Sequence, residues 1–142
     1  MQKGILFAIA ALFGAAMAAP ATAASGKQVK LTGEIIDSWC YITEIMYAEG
    51  TAHHQCAVWC AAGGVPVGIL GDDGQVYMVL KLGEDGTNVA NPKILKIQTH
   101  RVTVDGDLHK RDGINYIVVN KIVNDEGIVK QTHEDYGIQP GG

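Results

Sequence analysis

Three cysteines and a histidine carry the most chemistry in this chain. Cys40 stands alone. His53, Cys56 and Cys60 fall in the run Ala-His-His-Gln-Cys-Ala-Val-Trp-Cys-Ala-Ala, residues 52–62. If that run is helical, the spacing i, i+3, i+7 puts one imidazole and two thiols on one stripe. His54 points elsewhere, because each residue turns the helix by about 100°. Cys40 follows the first expected strand and lies within loop reach of the helix. Cys40, Cys56, Cys60 and His53 then form a Cys3His set, a tetrahedral zinc composition whose thiolates equally suit Cu(I). The expected cofactor is a transition metal ion, copper or zinc, and the spacing does not separate them. A closed four-ligand set leaves no open position for substrate, so catalysis is not expected.

Two rival chemistries use the same residues. Three thiols cannot all pair within one chain. A disulfide from Cys40 to Cys56 or Cys60 would pin strand to helix, stabilise by about 2–4 kcal/mol and leave one spare thiol. That reading gives a stapled binding or interaction module. The third reading is a thiol redox or electron-transfer accessory protein. A disulfide does not need His53, and this favours the metal.

Other groups near the cluster have two readings each. Asp37, three residues before Cys40, either orients His53 as a hydrogen-bonded carboxylate or ends the strand and caps a turn. His54 replaces His53 if the helix is rotated. Met46 is a soft axial ligand for copper or a core-filling side chain. Trp39 and Trp59 each precede a cysteine and either shield a metal or fill the core. His100, His109 and His133 read as surface residues. Ala61 follows Cys60 where c-type haem attachment needs His. The Thr-His-Glu-Asp run at 132–135 lacks the second His of a zincin, and no nucleophile elbow or phosphate loop is present.

The Cys-x3-Cys spacing with a nearby His resembles the copper sites of exported electron-transfer and copper-delivery proteins. In those the His generally lies downstream of the cysteines, whereas here it lies upstream. The resemblance therefore carries no mechanism over.

The chain has 142 residues, 11 Lys+Arg against 15 Asp+Glu, and 47% apolar residues. Met-Gln-Lys, an apolar run over 4–19 and Pro-Ala-Thr-Ala at 20–23 read as a secretory signal peptide cleaved after Ala23. Both Phe residues and Lys3 leave with it, so the remainder is more acidic. The protein is expected in the periplasm or secreted, with no membrane span once the signal is removed. The acidic balance disfavours nucleic acid as a partner. The expected partners are the metal ion and an exported protein.

The elements that must position the cluster follow from patterning. A leader spans 24–28. Val29–Ile36 alternates as a half-buried strand, with Gly33 marking a bulge or close approach. The Cys/His helix spans 52–62, with Thr51 as N-cap and Gly63-Gly64 as stop. Strands follow at 67–70 and 75–82, joined by Asp72-Asp73-Gly74. Residues 83–92 read as a loop and 93–97 as a short apolar segment. A strand at 101–104 should turn at Asp105-Gly106-Asp107, and Asp112-Gly113 should turn into a final strand at 114–123. Residues 124–142 read as a flexible tail.

About five strands, one short inserted helix and Gly-rich turns give a mainly β fold. The strand and turn pattern over 29–123 resembles the OB-fold, which implies a small five-stranded barrel. A small β-sandwich is the alternative. The resemblance says little about function.

Overall fold

The computed structural model describes residues 25–45, 48–83 and 91–131. The expected signal segment, Met46 and the end of the expected tail lie outside them. The described chain runs β1 (Lys27–Asp37), α1 (Ser38–Thr43), α2 (Gly50–Ala62), β2 (Val67–Gly71), β3 (Val76–Leu82), α3 (Pro92–Leu95), β4 (Arg101–Arg111) and β5 (Ile114–Asp125). The strands close in the order β1-β2-β3-β5-β4, the small barrel expected rather than a sandwich. All pairs are antiparallel except β3 with β5.

β1 closes the barrel because it is long enough for two partners. Its first part pairs with β4 and its last five residues pair with β2. Alternate residues turn inward, and Ile35 joins Val67, Ile69, Val79, Val102, Val104, Ile117 and Val119 in the core. Leu82 of β3, Ile94 and Ile97 of the α3 region and Ala61 of α2 complete it.

Gly33 marks a close approach of two backbones. A Cβ there would stand 2.2 Å from the Leu70 carbonyl oxygen. Gly33→Ala is therefore expected to cost about 1–3 kcal/mol, the range for overpacking a filled site. A urea unfolding midpoint equal to that of the unaltered protein would refute this.

Several local expectations need correction. Asp105-Gly106-Asp107 is not a turn, because β4 runs unbroken through it. The register shifts between Asp105 and Gly106, and a Cβ on Gly106 would meet the Val118 carbonyl oxygen at 2.6 Å. The glycine thus serves a bulge inside a strand. Residues 92–95 form a helical turn, capped by the Asn91 side chain, which accepts from the N–H groups of Lys93 and Ile94. Proline at the first turn suits this start. The insertion between β1 and β2 holds two helices rather than one. Helix α2 begins at Gly50 with Glu49, not Thr51, as its N-cap.

The polar stretch after Val123 does not leave the barrel at once. β5 continues to Asp125, Arg101 N–H donates to Gly127 O, and Thr51 N–H donates to Lys130 O. Its backbone groups are satisfied by β4 and the start of α2, which hydropathy alone does not reveal. Among the described residues, no helix is long and apolar enough to cross a membrane.

Candidate metal centre

The cluster is assembled by a helix pair inserted at the end of β1. β1 ends at Asp37, whose Oδ1 accepts from Cys40 N–H at 2.9 Å and so caps α1. Glu44, in the left-handed region, closes α1 by donating its N–H back to the Cys40 and Tyr41 carbonyls. Helix α2 then packs against β1. Gly50, His53, Ala57 and Ala61 form its buried face, where small side chains permit close approach. Cys56 and Cys60 flank that face, half-buried.

The start of α2 is also held from outside the barrel. Glu34 of β1 is only 4% exposed. Its Oε1 accepts from Gly50 N–H at 2.7 Å, and its Oε2 lies 3.1 Å from Lys130 Nζ. Lys130 also pairs with Glu49. Sequence reading missed Glu34 and Lys130. They are far apart in the chain, and each looks like an ordinary surface charge.

The three thiols meet. The Sγ atoms of Cys40, Cys56 and Cys60 all lie within 4.8 Å of one another, and Cys56 and Cys60 are 3.9 Å apart. All three are free cysteines in the structure. Cys40 is 3% exposed. A second group overlaps the first at Cys40: donor atoms of Asp37, Cys40 and His53 also lie within 4.8 Å of one another. The four residues expected as ligands are therefore not all within that distance of each other. His53 sits beside Asp37 and Cys40 rather than inside the sulfur triangle.

The two readings of Asp37 are both realised. It caps α1 through Oδ1, and its Oδ2 lies 2.5 Å from His53 Nε2. Both residues are fully buried. With Nε2–H donating to the carboxylate, the ring's lone pair resides on Nδ1. His53 Nδ1 is buried and has no hydrogen-bond partner. A carboxylate on one nitrogen and a bare second nitrogen is the arrangement common to metal-ligating histidines.

The alternative ligands lie elsewhere. His54 Nδ1 is 3.0 Å from both Gln98 O and Thr99 Oγ1, and its ring stacks on His100. It belongs to neither candidate group. Met46 lies outside the described residues. Trp39 and Trp59 are 60% and 71% exposed, so neither fills the core. An apolar groove of about 510 Å³ runs along the barrel face between Ile42 of α1 and Val76, Met78, Ile114 and Tyr116.

Asp37, His53 and Cys40 have the residue types of a nucleophilic triad, but the thiol is not activated. Burial first, then the Asp37 carboxylate and the neighbouring thiols, push the Cys40 thiol from 9.0 up to about 12. Burial and the hydrogen bond with Cys56 raise Cys60 as well. A protonated, enclosed thiol is a poor nucleophile. In the reduced, metal-free protein Cys40 should alkylate far more slowly at pH 8 than after unfolding. Because its folded pKa is raised, stability should be lost as pH rises through the window from 9 to about 12. Timed alkylation with peptide mass mapping checks the first expectation, and urea unfolding across that window checks the second.

No family model, curated protein or solved structure matches this chain. Fold and site define it by geometry alone. It is a small closed β-barrel with a cysteine cluster on an inserted helix pair that could hold a metal ion.

Proposed function

We propose that this is an exported, non-catalytic protein that holds a transition metal ion, copper or zinc, through its cysteine cluster. The observation that carries the reading is the sulfur triangle of Cys40, Cys56 and Cys60. Three donors from two helices converge without a disulfide, and soft thiolates suit Cu(I) and Zn2+. His53, oriented by Asp37, is the candidate fourth ligand of a Cys3His set through its bare Nδ1. Export is supported by the signal-like pattern of residues 1–23, which is the reason for proposing the periplasm or the cell exterior as its location. There it would exchange its ion with an exported partner.

The redox reading is weaker because Cys40, one of the three clustered thiols, is enclosed at 3% exposure and so poorly placed to meet an external disulfide. The stapled interaction module retains one supporting observation, the apolar groove beside Ile42.

The test is elemental analysis and intact mass on protein purified without oxidant. About one metal ion per chain is expected, with three alkylatable thiols released only after chelation and denaturation. A metal-free protein that is about two mass units light, having lost two hydrogens to a disulfide, would sink the proposal in favour of the stapled module.

A further inference from the structure

We infer that the ion this cluster selects is Cu(I), held by the sulfurs of Cys40, Cys56 and Cys60 alone, with His53 and Asp37 as positioning residues. The inference rests on the metal-binding reading above and narrows it.

The donor count is the first argument. The atoms already gathered are three sulfurs, with 3.9 Å between Cys56 and Cys60 and no pair beyond 4.8 Å. An ion centred among three sulfurs 3.9–4.8 Å apart would sit about 2.3–2.8 Å from each, so a small inward movement of the sulfurs reaches the ordinary metal–thiolate distance of about 2.3 Å. Structural zinc requires a fourth protein ligand. A d10 monovalent ion with soft ligands does not impose that requirement, and three thiolates are enough to hold it.

The second argument is what occupies the neighbouring donors. Both Asp37 oxygens are engaged, one by Cys40 N–H and the other by His53 Nε2. His53 is fully buried on the face of α2 that packs inward, and it is not within 4.8 Å of all three sulfurs. Bringing it to a zinc ion in the triangle would pull it from Asp37 or shift α2 on β1. Thr51 N–H on Lys130 O and Gly50 N–H on Glu34 tether that helix start. Asp37 joins α1 to α2 by contacting Cys40 on one and His53 on the other. This fixes the sulfur of Cys40 opposite Cys56 and Cys60.

The third argument is access. Cys56 and Cys60 are half-buried, and only Cys40 is enclosed. Two sulfurs near solvent suit an ion that is loaded and passed on by ligand exchange. Binding forms three Cu–S bonds as three S–H bonds release their protons to solvent, and no electron is transferred.

The test uses the reduced, metal-free protein under anaerobic conditions. Cu(I) is titrated in competition with bicinchoninate, and Zn2+ in competition with a chromophoric zinc chelator. X-ray absorption at each metal edge counts the ligands. The expected result is one Cu(I) per chain with three sulfur neighbours and no nitrogen. In His53→Ala, once folding is confirmed by circular dichroism, that ligand count stays the same and the affinity falls by less than about 10-fold, the loss of a positioning contact rather than of a ligand. Zinc should bind without nitrogen from the protein and be displaced by Cu(I). Zinc held by three sulfurs and one nitrogen, with affinity falling about 10-fold or more in His53→Ala, would overturn the copper assignment and leave the metal reading standing. Copper with fewer than three sulfurs would also overturn it. Failure of both ions to bind at one per chain would overturn the metal reading itself.

Discussion

Asp37→Ala is expected to lower the unfolding free energy by about 2–4 kcal/mol. Two losses add. Removing the helix cap at Cys40 N–H costs about 1 kcal/mol. Leaving the His53 Nε2–H buried without an acceptor costs about 1–3 kcal/mol more. Both contacts are made by one side chain with no exposure, so water cannot replace it. Asp37→Asn should fall between the two proteins. Its side-chain oxygen can still accept one of these two bonds but not both. The loss also frees Cys40 N–H and loosens the register between α1 and α2, so metal affinity should fall by about 10–100-fold, the range for groups that position the ligands without touching the ion. Urea unfolding of the metal-free proteins reads the first effect and competitive titration the second. An Asp37→Ala midpoint equal to that of the unaltered protein would show that the pair does not hold the helices together.

The dual role of Asp37 was legible only as two alternatives, and the reason is physical. Its place three residues before Cys40 is a short-range signal, sufficient for a cap. The bond to His53 spans 16 residues and depends on how α2 settles on β1. The same divide runs through the whole molecule. β1, β2, β3 and β5 follow alternation and turn residues that act locally, and they were legible to within two residues of their ends. The Asp105-Gly106-Asp107 stretch was misread because a glycine between aspartates has the same composition in a turn and in a bulge. Only the partner strand distinguishes them.

The three cysteines were legible as one cluster from residue type and spacing, and the structure brings them together. The position of His53 was not. Helical spacing places it on the thiol stripe, but the most buried line of α2 passes through His53, Ala57 and Ala61. It turns the imidazole towards Asp37 and leaves Cys56 and Cys60 at the flank. The exposure of Trp39 and Trp59 was equally hidden. Tryptophan usually fills a small core, but this barrel is filled by isoleucine and valine.

Cys40→Ser is expected to weaken metal binding by about 100-fold or more. Structural zinc sites of four thiolate and imidazole ligands bind with about 10–16 kcal/mol, so each ligand supplies roughly 3 kcal/mol. A serine oxygen is a hard donor that soft ions pass over. Cys40 is the most consequential of the three because it is the only sulfur from α1 and belongs to both candidate groups. The effect can be read through stability without knowing the ion's biological source. At metal concentrations about 100 times the unaltered protein's Kd, binding adds about 2.7 kcal/mol, or roughly 10 °C in Tm. A 100-fold weaker site at the same concentration adds only about 0.4 kcal/mol. The metal-induced rise in Tm should therefore nearly vanish in Cys40→Ser. His53→Ala, compared with its own metal-free form, should keep the rise with Cu(I). Using each variant's metal-free form as its baseline separates a lost ligand from a damaged core. A Cys40→Ser protein that retains the full rise would remove Cys40 from the site and, with it, the only ligand that joins the two helices.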